Sequence, residues 1–354
     1  MKKKDWILYG AYGYTGRLIV EQSLREGEKP VLAGRDTKKL IPLAKAVGLK
    51  YKVFDLKNPH LIQNEIKEFK TLFNAAGPFK NTSKPLVDAC LKEGVNYLDI
   101  TGEIEVFKRN FSLHQRALEK KIAIISGVGF DVVPTDCMAA YVSNQISQPL
   151  HLELGISGMS GFSQGTLKTM IEKLEYGALL RRAGKFVSKP LGGFPKRIRF
   201  IDKERISYAI SWGDLCTAYR TTRIPNITTY MALPKYISYL TGPVDFIFRS
   251  IIGLNIIQKF VKFIIEKRVQ GPDEYVRKNY NSYIWAKARN EKGDTFESWL
   301  KTLEAYQLTA ISAIKCVKKL REKESNVIGT LTPALAFGGD FILEFPDTVR
   351  RDSL

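Results

Sequence analysis

The sequence predicts an α/β protein in which an N-terminal doubly wound parallel sheet is followed by a second α/β (α+β) domain with a mixed sheet. Three observations predict this fold. Short apolar segments alternate with helical patterns over residues 6–125, a glycine-rich turn follows the first segment, and the second half contains patterns that alternate polar and apolar residues. A length of 354 residues is typical of two domains.

In the first half, six short apolar segments are bounded by turn residues or charges and are therefore predicted to be strands. They are residues 6–9, 30–33, 51–54, 71–75, 95–99 and 122–125. Apolar residues at helical spacing predict the intervening helices. These are 15–26, 37–46 (capped by Thr37), a helix opening at Asn58-Pro59, 83–92 and 104–120. The alternation predicts a parallel sheet that is covered on both faces.

The first strand ends in Gly10, Gly13 and Gly16, directly before a helix. Glycine allows a tight turn and lets the backbone approach a pyrophosphate, which the helix N-terminus attracts. A tight turn without a ligand is the alternative, but the position between strand and helix favours a Rossmann-type nucleotide site. The residues predicted to contact the cofactor here are Gly10, Tyr12, Gly13, Tyr14, Thr15 and Gly16.

The second strand runs into Gly34-Arg35-Asp36. An acidic residue at this point would bind a ribose hydroxyl and indicate NAD, whereas an arginine accommodates the 2′-phosphate of NADP. Asp36 fits equally well as the cap of the following helix. We therefore predict that Gly34 and Arg35 contact NADP, with NAD as the less favoured cofactor.

A turn of small residues follows the fourth strand. In an open α/β sheet the ligand lies across the carboxyl ends of the strands, so this turn is expected to contact the ribose and nicotinamide. A generic strand-to-helix loop is the alternative. The residues concerned are Asn74, Ala75, Ala76, Gly77, Pro78 and Phe79.

The sequence contains no recognisable catalytic triad that would identify the catalytic residue. Four carboxylates after strands five and six are weak candidates for orienting substrate or water: Asp99, Glu103, Asp131 and Asp136. Asp131 and Asp136 fit equally well as helix caps. The three histidines fit structural positions, and the four cysteines form no metal-binding pattern, so no metal is predicted.

Positive charge is concentrated beside the most apolar part of the chain. The net charge is +19, and residues 181–223 hold 11 basic and 3 acidic side chains. Apolar residues at 240–265 occupy more than one helical face, which fits a core or dimer helix, an interfacial membrane helix or the lining of a lipid tunnel. Basic side chains beside such helices attract anionic headgroups. No nucleic-acid recognition motif accompanies the charge, so nucleic-acid binding is not expected.

Several motifs occur in an order that resembles the saccharopine dehydrogenase-like oxidoreductases, and in particular the branch with trans-acting enoyl reductases. They lie at residues 10–16, 33–36, 74–79, 97–103, 127–136, 163–166, 212–214 and 329–334. The resemblance implies an NADP-binding domain, a second domain with the substrate site and often a dimer contact, and a C-terminal segment that returns to the first domain. It does not imply one reaction.

These inferences predict an NAD(P)-binding domain at 1–132, a substrate and dimerisation domain at 133–325 with an apolar helical insertion near 236–268, and a returning segment at 326–354. The expected function is NADP-dependent reduction of a hydrophobic or lipid-linked substrate by a cytoplasmic, peripherally membrane-associated homodimer. A saccharopine-type amino-acid dehydrogenase acting on an imine and a non-catalytic nucleotide-binding lipid-surface protein are the alternatives.

Overall fold

The computed structural model describes residues 3–158, 161–174, 177–193, 195–239, 242–322 and 327–354. Its strands are β1 (Lys4–Tyr9), β2 (Val31–Gly34), β3 (Tyr51–Val53), β4 (Phe69–Asn74), β5 (Asn96–Asp99), β6 (Ala123–Ile125), β7 (Pro149–Ser157), β8 (Ala178–Arg182), β9 (Lys185–Lys189), β10 (Lys196–Arg199), β11 (Glu204–Ala209), β12 (Asn226–Ala232), β13 (Asn281–Asn290), β14 (Thr295–Leu303), β15 (Gly329–Leu331) and β16 (Val349–Arg351).

The helices alternate with the strands in most of the first half, whereas several strands of the second half follow one another without a helix between them. They are α1 (Tyr14–Arg25), α2 (Thr37–Val47), α3 (Pro59–Ile66), α4 (Phe79–Glu93), α5 (Ile104–Ser112), α6 (His114–Glu119), α7 (Val133–Ser143), α8 (Gln164–Leu174), α9 (Asp214–Thr222), α10 (Gly242–Ile252), α11 (Asn255–Arg268), α12 (Glu274–Asn279), α13 (Ala305–Glu322) and α14 (Pro333–Phe337). Short 3₁₀ helices cover Lys235–Tyr239 and Phe341–Glu344.

The first unit, residues 1–133 and 306–337, is built on a parallel sheet in the order β15-β6-β5-β4-β1-β2-β3. The predicted α/β fold class is confirmed, and β1 lies between β4 and β2, where the strand order reverses. All six predicted strands are present. The seventh, β15, pairs with β6, and the Thr330 backbone N–H donates to Nδ1 of His114 at 3.0 Å. His114 therefore has the structural role that the sequence predicted.

Three helices of this unit differ from their predicted bounds. The cap of α2 is Asp36 rather than Thr37, because the Asp36 carboxylate accepts from the Lys39 backbone N–H. The helix predicted at 104–120 is two helices that meet at Leu113. The helix predicted at 83–92 begins earlier, at Phe79.

The second unit, residues 134–305 and 338–354, has a mixed sheet of nine strands. Seven of them follow the order β10-β11-β12-β7-β13-β14-β16, and β8 and β9 join through β12. Helix α8 ends at Leu174, and residues 178–182 form β8. A buried cluster that includes Trp285, Trp299 and Tyr230 packs on one face of this sheet.

The predicted domain boundaries differ from this division on the C-terminal side. Most of α13 and β15 belong to the first unit, whereas residues 338–354 belong to the second, since β16 pairs with β14. In the described part of the chain, no helix is both long enough and apolar enough to span a membrane.

Candidate nucleotide-binding and active site

The turn between β1 and α1 can exist only with glycine at two of its positions. Gly10 has a φ of +86°, and a Cβ there would lie 2.7 Å from the Ala76 backbone nitrogen. A Cβ on Gly16 would lie 2.2 Å from the Gly10 carbonyl oxygen. The close packing of strand, turn and helix therefore excludes side chains, as phosphate-binding turns require.

The N-terminus of α1 is open to an anion. Its N-cap is Gly13, which has no side chain to accept from the first backbone N–H groups of the helix. Those groups and the positive end of the helix dipole suit a pyrophosphate. This turn fits a dinucleotide, and Tyr12, Tyr14 and Thr15 lie on it or on the first turn of α1.

At the end of β2, the acidic and the basic residue have different environments. The Asp36 carboxylate accepts from the Lys39 N–H at 3.3 Å and so caps α2, whereas Arg35 is exposed. The Tyr12 ring lies so close to Gly34 that a Cβ there would be 2.5 Å from Cε1. Asp36 thus has a structural partner at this strand end, whereas Arg35 is the more exposed of the two residues.

Asn74 is buried at the end of β4 and fixes the turn that follows. Its Oδ1 accepts from the Ala76 N–H at 3.0 Å, and its Nδ2 donates to Thr82 Oγ1 at 3.2 Å and to the Tyr97 hydroxyl at 3.1 Å. Thr82 in turn donates to the Ala76 carbonyl at 2.6 Å. Asn74 therefore orders the Ala75–Ala76 backbone against β1. Gly77, Pro78 and Phe79 lead from this turn into α4.

Glu103 caps α4. Its two carboxylate oxygens accept from the backbone N–H groups of Phe79 and Lys80, each at 2.8 Å, and the residue is buried. This explains why α4 begins at Phe79, since a carboxylate satisfies the first amides and complements the helix dipole. The structure places Glu103 in a positioning role, with both oxygens already bound.

Asp99 is fully buried at the end of β5 within a polar network. It accepts from the Thr101 N–H at 3.1 Å, the Gly127 N–H at 3.0 Å and Ser126 Oγ at 3.2 Å. Burial raises the pKa of Asp99 to about 6, and these hydrogen bonds oppose the increase. Burial also raises the pKa of the neighbouring Tyr97 well above its ordinary value.

The remaining two candidates lie in different units. Asp131 belongs to the first unit, and its Oδ2 would be 2.7 Å from a Cβ on Gly102. Asp136 lies in the second unit on α7 and accepts from Thr221 Oγ1 of α9 at 2.6 Å. The candidate role of Asp136 in orienting substrate or water stays a prediction.

The network also contains residues that the sequence did not single out. Asn110 of α5 donates to Ser83 Oγ at 3.2 Å and to Ser126 Oγ at 2.9 Å, and so connects two helices to the end of β6. Tyr97 and Thr82 complete the support of Asn74. These residues are ordinary helix or strand residues in the sequence, and only their tertiary contacts distinguish them.

Comparison with known proteins agrees with this arrangement. Residues 6–125 match the saccharopine dehydrogenase NADP-binding domain family. A mouse saccharopine dehydrogenase-like oxidoreductase is 26% identical over 299 residues, which cover 74% of this chain and 70% of that protein. A Mycobacterium tuberculosis protein, provisionally named a trans-acting enoyl reductase, is 29% identical over 184 residues, or 48% of this chain and 44% of its own length.

The fold also has a close counterpart among solved structures. Yeast (Saccharomyces cerevisiae) saccharopine dehydrogenase (L-Glu forming) superposes with a TM-score of 0.66 over 96% of both chains, at 11% sequence identity. At that identity the likeness shows the fold alone. The family match and the glycine turn lead to one conclusion: residues 6–125 form a nicotinamide-nucleotide-binding domain of the saccharopine dehydrogenase NADP-binding family, and the chain is similar to saccharopine dehydrogenase-like oxidoreductases beyond that domain.

Proposed function

We propose that the protein is an NADP-dependent oxidoreductase that reduces a hydrophobic or lipid-linked substrate, in the manner of an enoyl reductase. In this proposal it is a cytoplasmic homodimer that binds an anionic membrane surface peripherally. The observation that carries the proposal is the exposed surface of α10 and α11, which we call the apolar helix pair. A soluble amino-acid substrate would not need such a surface.

The outer side of the apolar helix pair consists of large apolar side chains. Phe246 is 68% exposed, Ile256 is 74% exposed and Phe260 is 62% exposed. Patches of this kind on a protein surface mark sites of association with a membrane or another protein. The core-helix interpretation of this segment is therefore wrong for the folded chain.

Polar contacts attach the pair to its unit through the opposite side. Asp245 of α10 is buried, and its carboxylate accepts from the Leu191 N–H at 2.9 Å and pairs with Arg249 at 2.8 Å. Gln164 of α8 donates to the Glu266 and Val269 carbonyls of α11 at 3.0 and 2.7 Å. Since the anchors face inwards, the apolar residues are directed outwards by the fold itself.

Lysines accompany the apolar residues on α11. Lys259 and Lys267 are exposed, and Lys267 Nζ lies 4.4 Å from the centre of the Phe263 ring. A helix that exposes large apolar residues together with lysines suits the interface of an anionic bilayer. Burial of each exposed Phe or Ile would contribute about 1.5–3 kcal/mol.

NADP is the favoured nucleotide because Asp36 is engaged as a helix cap while Arg35 is exposed. The guanidinium group is suited to bidentate pairing with a phosphate. In an Arg35→Ala variant we expect NADPH affinity to fall at least tenfold and NADH affinity to change little, as measured by calorimetry. An equal loss for both nucleotides would contradict the assignment.

The bound nicotinamide would supply the hydride. The residues of the chain hold and orient the reactants: the N-terminus of α1 binds the pyrophosphate, and Asn74 with Thr82 fixes the turn beside it. Such positioning is the main requirement of hydride transfer.

The substrate class is tested with NADPH and enoyl thioesters of increasing chain length. We expect kcat/KM to rise with length, by up to about tenfold for each two methylene groups that become buried. Imines of amino acids serve as the second panel. Turnover of imines alone would favour the amino-acid dehydrogenase, and no turnover of either panel would favour a non-catalytic nucleotide-binding protein.

Membrane association is tested by flotation with phosphatidylcholine vesicles that contain phosphatidylglycerol. A triple variant, F246S, I256S and F260S, should lose most vesicle binding. The control replaces two exposed apolar residues of the first unit, Tyr51 and Leu61, by serine and should float as the wild type does. Unchanged flotation of the triple variant would contradict membrane binding, and conversion of a dimer to a monomer would assign the surface to a second copy of the chain.

A further inference from the structure

A cavity of about 540 Å³ lies on one face of the mixed sheet, within the second unit. Its lining includes His151 and Glu153 of β7 and Lys287 and Arg289 of β13. β7 and β13 are antiparallel neighbours, and their register pairs Arg289 with His151 and Lys287 with Glu153. Directly paired residues point to the same face, so the four side chains form one compact group.

Lys196 reaches the same cavity from β10. Its Nζ lies 2.5 Å from Glu153 Oε2 and 4.8 Å from the centre of the Trp285 ring. The other Glu153 oxygen accepts from the Tyr230 hydroxyl at 3.2 Å. The single carboxylate that lines the cavity is therefore already bound on both oxygens.

The neighbouring carboxylate, Glu297, also has partners. One oxygen accepts from Trp285 Nε1 at 2.9 Å, and the other lies 3.7 Å from Lys287 Nζ. That separation leaves the Lys287 ammonium group with a weak partner. Over the residues that the structure describes, no carboxylate forms an ion pair with the Arg289 guanidinium, which is exposed at the cavity rim.

The electrostatic environment of His151 reflects this excess of positive charge. Burial, followed by the charges of Arg289 and Arg182, lowers the pKa of His151, and Glu153 only partly opposes them. Arg182 is held beside the cavity by hydrogen bonds to the Ile227 carbonyl at 3.2 Å and Thr228 Oγ1 at 2.9 Å. The lining of the cavity thus includes three cationic side chains and one carboxylate.

We propose that this cavity binds the phosphoryl group of a small phosphorylated ligand, with Arg289, Lys287 and Lys196 as its cationic partners. Arginine and lysine are the side chains that recognise phosphate. A phosphate dianion would balance the positive charge of the cavity better than a ligand with a single carboxylate would. The volume is in the range of small-molecule sites. The lining residues belong to the second unit and none of them is assigned a role in the proposed function, so the proposal does not depend on that function.

The experiment uses the three histidines of the chain as probes, with imidazole carbon–proton resonances followed by NMR at low salt. Inorganic phosphate should shift the His151 resonance in a saturable way and raise the pKa of His151, because a bound anion stabilises the imidazolium form. The resonances of His60 and His114, which lie in the first unit, should not move.

Two charge-removing variants and one control complete the test. R289Q and K287Q should each weaken phosphate binding at least tenfold, whereas K292Q, which removes an exposed charge from the adjacent hairpin turn, should bind phosphate as the wild type does. The proposal is overturned if phosphate leaves His151 unshifted or if K292Q loses as much affinity as R289Q. Tighter binding of citrate than of phosphate would overturn the phosphoryl assignment.

Discussion

Most polar side chains of a protein are exposed and most large apolar ones are buried. Two regions of this molecule depart from that rule: the carboxyl edge of the parallel sheet and the apolar helix pair. At the sheet edge, Asn74, Asp99 and Glu103 are buried. In the helix pair, Phe246, Ile256 and Phe260 are exposed. Each arrangement costs free energy unless a partner compensates it. A buried polar group needs a hydrogen-bond partner in place of water, and an exposed apolar group needs a surface that shields it from water.

The difference lies in where the partners are. Every one of the three buried polar side chains at the edge binds backbone N–H groups of the same unit, so its partner is inside the fold. The exposed apolar residues belong to helices that are anchored by Asp245 and Gln164 on their inner side. The buried polar side chains thus fix the backbone at the sheet edge, whereas we expect the apolar helix pair to bind a membrane surface. Substitutions should separate these two properties.

The largest effect is expected at the glycine turn. In Gly16→Ala the new Cβ would meet the Gly10 carbonyl oxygen at 2.2 Å, so the turn and α1 must move apart. We expect nucleotide affinity to fall more than about 100-fold and stability to fall by about 1–3 kcal/mol. Calorimetry and denaturant unfolding measure both. Gly165→Ala, whose Cβ would be 3.8 Å from Ser163 Oγ, is the control and should bind nucleotide normally.

A second prediction concerns the pH dependence that Asp99 confers. Its folded pKa of about 6 lies above the ordinary value of 3.8, so its contribution to stability is complete below about pH 4 and is lost as the pH rises through 6. In Asp99→Asn, the stability relative to wild type should therefore rise between pH 4 and 7, by up to about 3 kcal/mol. Urea unfolding at several pH values measures this difference.

Asp347→Asn changes an exposed carboxylate and serves as the control for Asp99→Asn. The rise in the relative stability of Asp99→Asn is measured against the behaviour of this variant. If the two differences changed alike with pH, the effect would not come from the buried carboxyl of Asp99.

A smaller effect is expected from Glu103→Ala, which removes the acceptor of two N–H groups at the start of α4. Loss of hydrogen bonds to a buried charged group should lower the free energy of unfolding by about 1.5–3 kcal/mol. Glu103→Gln retains one strong acceptor and should lose less. The exposed Glu105→Ala is the control, and an equal loss there would contradict the capping role.

The smallest effect on stability is expected in the apolar helix pair. Phe260→Ser should change the free energy of unfolding by less than about 0.5 kcal/mol, because the ring is already exposed. Ile265→Ser on the same helix removes a buried side chain and should cost more than 2 kcal/mol. If the two variants were equally destabilised in thermal unfolding, the outer face would be part of the core.

Local patterns were sufficient to predict much of the first unit. The apolar segments and the Gly10 to Gly16 spacing identify strand, turn and helix because each depends on neighbours in sequence. The strands β8 to β11 were not predicted, since residues 178–209 combine many charges with only short apolar segments. Their burial depends on β7 and β12, which come from elsewhere in the chain.

The candidate site divides in the same way. The turn residues were found because glycine spacing is local, whereas the role of Glu103 depends on amides of Phe79 and Lys80, more than twenty residues earlier. The hydrogen-bond partner of Asp136 is equally distant, because Thr221 lies 85 residues later in the chain. Pairings between distant segments are what a single sequence does not disclose.

The parallel sheet of the first unit cannot be completed until its last strand, β15, has been synthesised. β15 pairs with β6 although about two hundred residues separate them in the chain, and the whole second unit up to residue 305 is made in between. While the ribosome makes that segment, the β6 edge is without its neighbour and α13 does not yet exist. Such exposed strand edges favour aggregation. We therefore expect the nucleotide-binding unit to be more prone to aggregation before β15 is made than in the finished chain.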